Sequence, residues 1–162
     1  MNIHSRRRFV QMIYTLSVSF SIFLSTAVLG ALPDQDFWLI TPQEAAMKPA
    51  PISPLDEMSG GVTGNGPIVE LEKPQTENQI ESPVEIAINF QNRLAEINLD
   101  SLSVEVVKFI NIDITDRIKP YVTVKGIHIP DAPLPSGEHT ILLYIEDVEG
   151  NPTDFEMTIT VA

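Results

Sequence analysis

The stretch HTILLYIEDVEGNPTDFEMTITV (139–161) decides how the chain is read. Its first half sets Ile141, Leu143 and Ile145 against Thr140, Leu142, Tyr144 and Glu146. Its second half sets Phe155, Met157, Ile159 and Val161 against Glu156, Thr158 and Thr160. Successive side chains of a strand point to opposite faces, so apolar residues at every second position mark a strand with one dry face. Between the halves lies VEGNP (148–152), whose Gly, Asn and Pro favour a reversal of the chain. The reading is a β-hairpin.

The same period of two recurs upstream. In PVEIAINF (83–90), Val84, Ile86, Ile88 and Phe90 alternate with Glu85, Ala87 and Asn89. IVELE (68–72), LSVEVVKFI (102–110), YVTVKG (121–126) and IHI (127–129) supply further strands, with turn formers at 74–78, 98–101 and 130–137 between them. The pair Val106-Val107 breaks the alternation and predicts a bulge or a change of face. In INIDITDRIKPYV (110–122), Ile110, Ile112 and Ile114 alternate with Asn111, Asp113 and Thr115, which predicts one more strand with Asp113 on its polar side. Residues 116–120 then form the connection, with an extended exit before Pro120. Arg117 is expected to pair with Asp113, Asp116 or an acid on a neighbouring strand. About seven short strands at this spacing predict an all-β sandwich over 67–162. No long helical pattern or internal repeat competes with it.

The stretch LPSGEHTILLYIEDVEGNPTDFEMTITV (134–161) resembles the last two strands of bacterial immunoglobulin-like domains, through Leu134, Pro135, Gly137, His139, Asp147, Gly150 and Asn151. GPIVELEKP (66–74) and ESPVEIAINF (81–90) look like the first two strands of the same family. The resemblance implies an immunoglobulin-like β-sandwich of about seven strands. It implies little about function, because such modules serve as spacers, adhesive units and accessory domains alike.

Residues 1–31 read differently. Arg6, Arg7 and Arg8 precede an apolar run from about Ile13 to Leu29 and small residues at 30–31, the order of a secretory signal. SRRRFVQ (5–11) resembles a twin-arginine export motif, matched by Ser5, Arg6, Arg7 and Phe9. The alternatives are an ordinary export signal or an uncleaved membrane anchor, since about 20 apolar residues span a bilayer. The expected location is the periplasm or the cell exterior, with membrane contact only through this segment.

All 22 acidic residues lie beyond residue 31, against seven basic ones, a charge of −15 for that part. Such a surface repels phosphate backbones, so nucleic acid is not an expected partner. No cysteine is present, which excludes disulfides, thiolate nucleophiles and cysteine-ligated metals.

Residues 32–66 are rich in Pro, Gly, Ser and acids and read as a mostly disordered linker. Within it, Thr41, Pro42 and Glu44 compose a capping box for a short helical turn near 41–47. Phe37, Trp38 and Leu39 stand just before it. They either fold back on the domain or dock another exported or membrane protein, since aromatic anchors dominate interface energetics. Asp113, Asp116 and Arg117 are the other residues expected at a partner surface.

Little conventional chemistry is assembled. His128, His139 and Asp131 would make a metal site only if their strands were neighbours, and no Gly-x-Ser-x-Gly occurs. Glu146, Asp147, Glu149, Asn151 and Asp154 offer oxygen ligands around one hairpin, so weak Ca²⁺ binding by acidic loops is the alternative to a turn-shaping role. No other cofactor is implied. The sequence thus reads as a non-enzymatic exported interaction or accessory module, with an ion- or small-ligand-binding accessory protein as the second reading.

Overall fold

A computed structural model describes residues 37–51, 61–75 and 79–162. The export motif Ser5, Arg6, Arg7 and Phe9 lies outside them. Among the described residues, no helix is long and apolar enough to cross a membrane.

A short helix α1 (Pro42–Ala45) comes first. Strands β1 (Val62–Gly64), β2 (Ile68–Lys73), β3 (Val84–Gln91), β4 (Ile97–Val106) and β5 (Ile112–Asp113) follow. After helix α2 (Thr115–Ile118) and a 3-10 turn at Lys119–Tyr121 come β6 (Val122–Thr123), β7 (Gly126–Ala132), β8 (Gly137–Asp147) and β9 (Pro152–Val161).

The strands form two antiparallel sheets, ordered β1-β9-β8-β4-β5 and β2-β3-β7-β6. One isolated parallel bridge ties Ile80 to Val161. The alternation read from the sequence is the burial pattern itself. Val84, Ile86, Ile88 and Phe90 of β3 are buried, as are Ile141, Leu143 and Ile145 of β8 and Phe155, Met157, Ile159 and Val161 of β9. With Val104 and Val106 of β4 and Ile127 and Ile129 of β7 they form one core between the sheets. The molecule is an all-β sandwich.

Gly126 opens β7 with φ +142°, and a Cβ there would lie 1.9 Å from the Ile88 carbonyl oxygen. Only glycine allows β7 to start so close to β3.

Several local expectations are corrected. The turn formers at 98–101 do not separate strands but make an irregularity inside β4, between Asn98 and Ser103. There the Asn98 side chain accepts from the Asp100 amide, and Ser101 Oγ accepts from the Glu146 amide at 2.8 Å. At Val106-Val107 the strand simply ends, after Val107 donates a last bond to the Thr140 carbonyl.

The polar strand expected through 110–115 is only two residues long. Asp113 Oδ1 accepts from the Thr115 amide at 2.8 Å and turns the chain. Thr115 Oγ1 then accepts from the Val104 amide at 2.9 Å, taking the place of a ladder bond on β4. Ile114 and Ile118, four apart, are both buried while Ile110 is exposed, so the burial period here is helical rather than two. The exit at Pro120 is correspondingly a 3-10 turn and not an extended link.

Residues 37–51 and 61–66, read as linker, carry structure. β1 pairs with β9 through Val62–Phe155, Thr63–Asp154 and Gly64–Thr153. Gly64 permits this approach: a Cβ there would lie 2.2 Å from the Pro152 carbonyl oxygen.

Candidate functional site: an arm clamped to the sandwich

Residues 37–48 form an arm laid against β4, α2 and the 3-10 turn. Its helix is the capping box expected of Thr41 and Glu44. The Glu44 amide donates to Thr41 Oγ1 at 3.2 Å, and the Thr41 amide donates to Glu44 Oε2 at 2.8 Å. Four residues of helix cannot persist alone, because nucleation costs more than one turn returns. Tertiary contacts must hold it.

Those contacts are specific. Leu39 and Ile40 are buried in the core. Leu39 lines a small interior void of about 20 Å³ together with Ile86 of one sheet and Val104, Ile141 and Phe155 of the other. It therefore sits between the sheets and completes their packing. Arg117 of α2 clamps the arm from outside. Its Nη1 donates to the Leu39 carbonyl at 3.0 Å and to Glu44 Oε2 at 2.7 Å, and its Nη2 donates to Glu44 Oε1 at 2.6 Å. This two-pronged geometry matches a planar guanidinium to a planar carboxylate. The hydrogen bonds from Arg117, helped by those from Thr41 and opposed by burial, hold the Glu44 carboxyl at about 2, against its usual 4.5. The same pairing raises the Arg117 pKa.

Two further ties come from the β4–β5 connection. Lys108, largely buried, donates from Nζ to the Ala45 carbonyl at 3.2 Å. The Phe109 amide donates to the Lys48 carbonyl at 2.9 Å, and the Lys48 ammonium lies 5.6 Å from the Phe109 ring centroid.

The sequence-derived site residues separate along this seam. Leu39 is inside the core, so its side chain is not available to a partner while the arm is docked. Trp38 is half-buried. Phe37 keeps 40% of its surface exposed and lies against Tyr121, ring centroids 5.8 Å apart at 44°. Arg117 pairs with Glu44 of the arm rather than with Asp113, Asp116 or a strand acid. Asp113 is held ionised below its usual range by the hydrogen bonds from Thr115, and Asp116 pairs at the surface with Lys119 at 2.6 Å. Glu44, Lys108 and Tyr121 were missed as site residues. The capping box pointed to Glu44, but nothing local marks residues whose partners lie more than sixty positions away.

The acidic hairpin is organised as a turn. Asp147 Oδ1 accepts from the amides of Glu149 and Asn151 at 3.0 and 2.9 Å, and Asn151 Nδ2 donates to both carboxylate oxygens. The bond from Asn151 leads in lowering the Asp147 pKa. Glu146 accepts from the Tyr144 hydroxyl. A cation at Asp147 would have to displace these donors.

The two histidines part company. His139, 1% exposed, places Nε2 2.8 Å from the Pro135 carbonyl and ties down the turn before β8. His128 is exposed and lies 3.2 Å from Glu85. Among the described residues, no three of His, Asp and Glu come together in an arrangement that could hold a metal.

Comparison with family models, with curated proteins and with solved structures gave no match.

Proposed function

We propose that the chain is an exported immunoglobulin-like module that acts, without catalysis of its own, as an accessory or protein-interaction domain in the periplasm. The strand orders support the fold assignment. β2-β3-β7-β6 follows the A-B-E-D order of immunoglobulin-like sandwiches, and β9-β8-β4 follows the G-F-C order. The Ile80–Val161 bridge, parallel and on the last strand, stands where the first strand of such domains crosses between sheets. His139 bonds the backbone four residues upstream at the start of β8, the job a tyrosine performs at the same corner in many immunoglobulin-like domains.

The observation that carries the interaction reading is the rim of the arm. Phe37 is exposed and braced on Tyr121, while the backbone beneath it is fixed by Arg117 and Glu44. An aromatic side chain held in place loses little entropy on binding, which favours it as an anchor. Asp113 and Asp116 are exposed acids at the start of α2, the helix that carries Arg117. The partner is another exported or membrane protein.

The test is a pull-down from the exporting cell with the intact chain, read by mass spectrometry beside a Phe37→Ala, Asp116→Lys variant. The reading expects a recurrent exported or membrane protein that the variant loses. The same recovered set from both would contradict it. Export is tested separately by cell fractionation of an Arg6→Lys, Arg7→Lys variant, which should accumulate inside the cell if the twin-arginine route is used.

A further inference from the structure

The outer face of the β2-β3-β7-β6 sheet carries an open groove of about 350 Å³. Its floor is Ala87, the one small side chain on that face of β3, paired in register with His128 of β7. Glu85 and Asn89 flank Ala87 along β3 at the same parity. Every carboxylate along the groove already has a partner. Glu85 meets Lys73 at 2.6 Å and His128 at 3.2 Å, and Glu72 accepts from Asn89 at 3.1 Å. Tyr121 and Lys125 close the far side.

The groove is therefore electrically balanced, two acids against two lysines, on a part of the chain whose charge is −15. A free ion of either sign gains little from such a surface. What it offers is donors and acceptors side by side, carried on strands that hold them in place, with an aromatic ring at one end. A hydroxyl group both donates and accepts, so vicinal hydroxyls fit alternating carboxylate, amide and imidazole groups. The apolar face of a sugar ring suits the flank of an aromatic side chain. From these features we infer that the groove binds a neutral, polyhydroxylated ligand, a short saccharide chain, over Ala87. The groove meets the arm at Tyr121, which also braces Phe37, but its floor over Ala87 lies on β3 and β7 and does not rest on the interaction reading.

The test is an amide chemical-shift titration of the intact ¹⁵N-labelled chain. Maltotetraose, cellotetraose and chitotetraose are the probes, with calcium chloride and sodium phosphate as ionic arms. The inference expects the amides of Ala87, Asn89 and His128 to shift with at least one oligosaccharide and with neither salt. Asn89→Ala, an exposed change that leaves the core untouched, should weaken that binding about tenfold, and Ala87→Leu should abolish it by filling the floor. No shift at these amides with any of the three oligosaccharides would overturn the inference. So would shifts there with either salt, or undiminished binding by Asn89→Ala.

Discussion

At Glu44 the Arg117 guanidinium and the Thr41 amide converge on one carboxylate and hold its pKa at about 2 rather than 4.5. A carboxyl whose folded pKa is depressed adds stability that is complete above 4.5 and is lost as pH falls toward 2. The shift would correspond to about 3 kcal/mol, which solvent screening at this partly exposed pair trims to about 1–2 kcal/mol. Glu44→Gln should therefore lower the urea midpoint at pH 7, and the gap from the parent chain should close between pH 4.5 and 2. A constant gap across that window would contradict the ion pair. Arg117→Lys is expected to cost a similar amount, because an ammonium cannot reach the Leu39 carbonyl and both Glu44 oxygens in one geometry. In the interior, Thr153 Oγ1 donates to the Pro67 carbonyl at 2.7 Å, both out of solvent. Thr153→Val keeps the volume and strands that acceptor, so chemical denaturation should show a loss of about 1–3 kcal/mol.

Among the elements, the arm is the one whose structure depends most on partners distant in sequence. Leu39→Ala empties a space between the two sheets and is expected to cost about 2.7–5 kcal/mol by denaturation. A cost under about 1 kcal/mol, the ordinary effect of a surface change, would mean that the arm rests on the sandwich without entering it. Gly126→Ala should be comparably damaging, since its Cβ meets the Ile88 carbonyl at 1.9 Å and its φ is +142°. What was legible at this scale followed from local chemistry. The capping box of Thr41 and Glu44 and the burial faces of β3, β8 and β9 could be read directly. Helix α2 could not, because Ile110, Ile112 and Ile114 satisfy a period of two while only Ile114 pairs with Ile118 at helical spacing. The hydrogen bond from Val104 to Thr115, which substitutes for a strand ladder, has no local signature. The linker-like composition of 32–66 likewise hid β1, whose Gly64 serves close approach to β9.

Over the whole molecule, alternation sufficed for the sandwich, because burying one face of each strand against the opposite sheet is the only use for so regular a pattern. It did not reveal where the sandwich begins. Residues 37–48 supply Leu39 and Ile40 to the core from a segment whose composition is that of a linker. The candidate site was legible only in part for the same reason. Phe37, Leu39, Asp116 and Arg117 were singled out as residues, but the pairing of Arg117 with Glu44 joins positions 73 apart. The central claim is that the arm is an integral part of the folded domain. The chain carries its own reporter for this, since its single tryptophan, Trp38, lies on the arm, while the far-ultraviolet circular dichroism comes chiefly from the sheets. Equilibrium unfolding in urea, followed by both signals on one sample, should give coincident transitions with a common midpoint and slope. A Trp38 transition completed at lower urea than the loss of sheet would contradict the account, showing an arm that detaches from a sandwich stable without it.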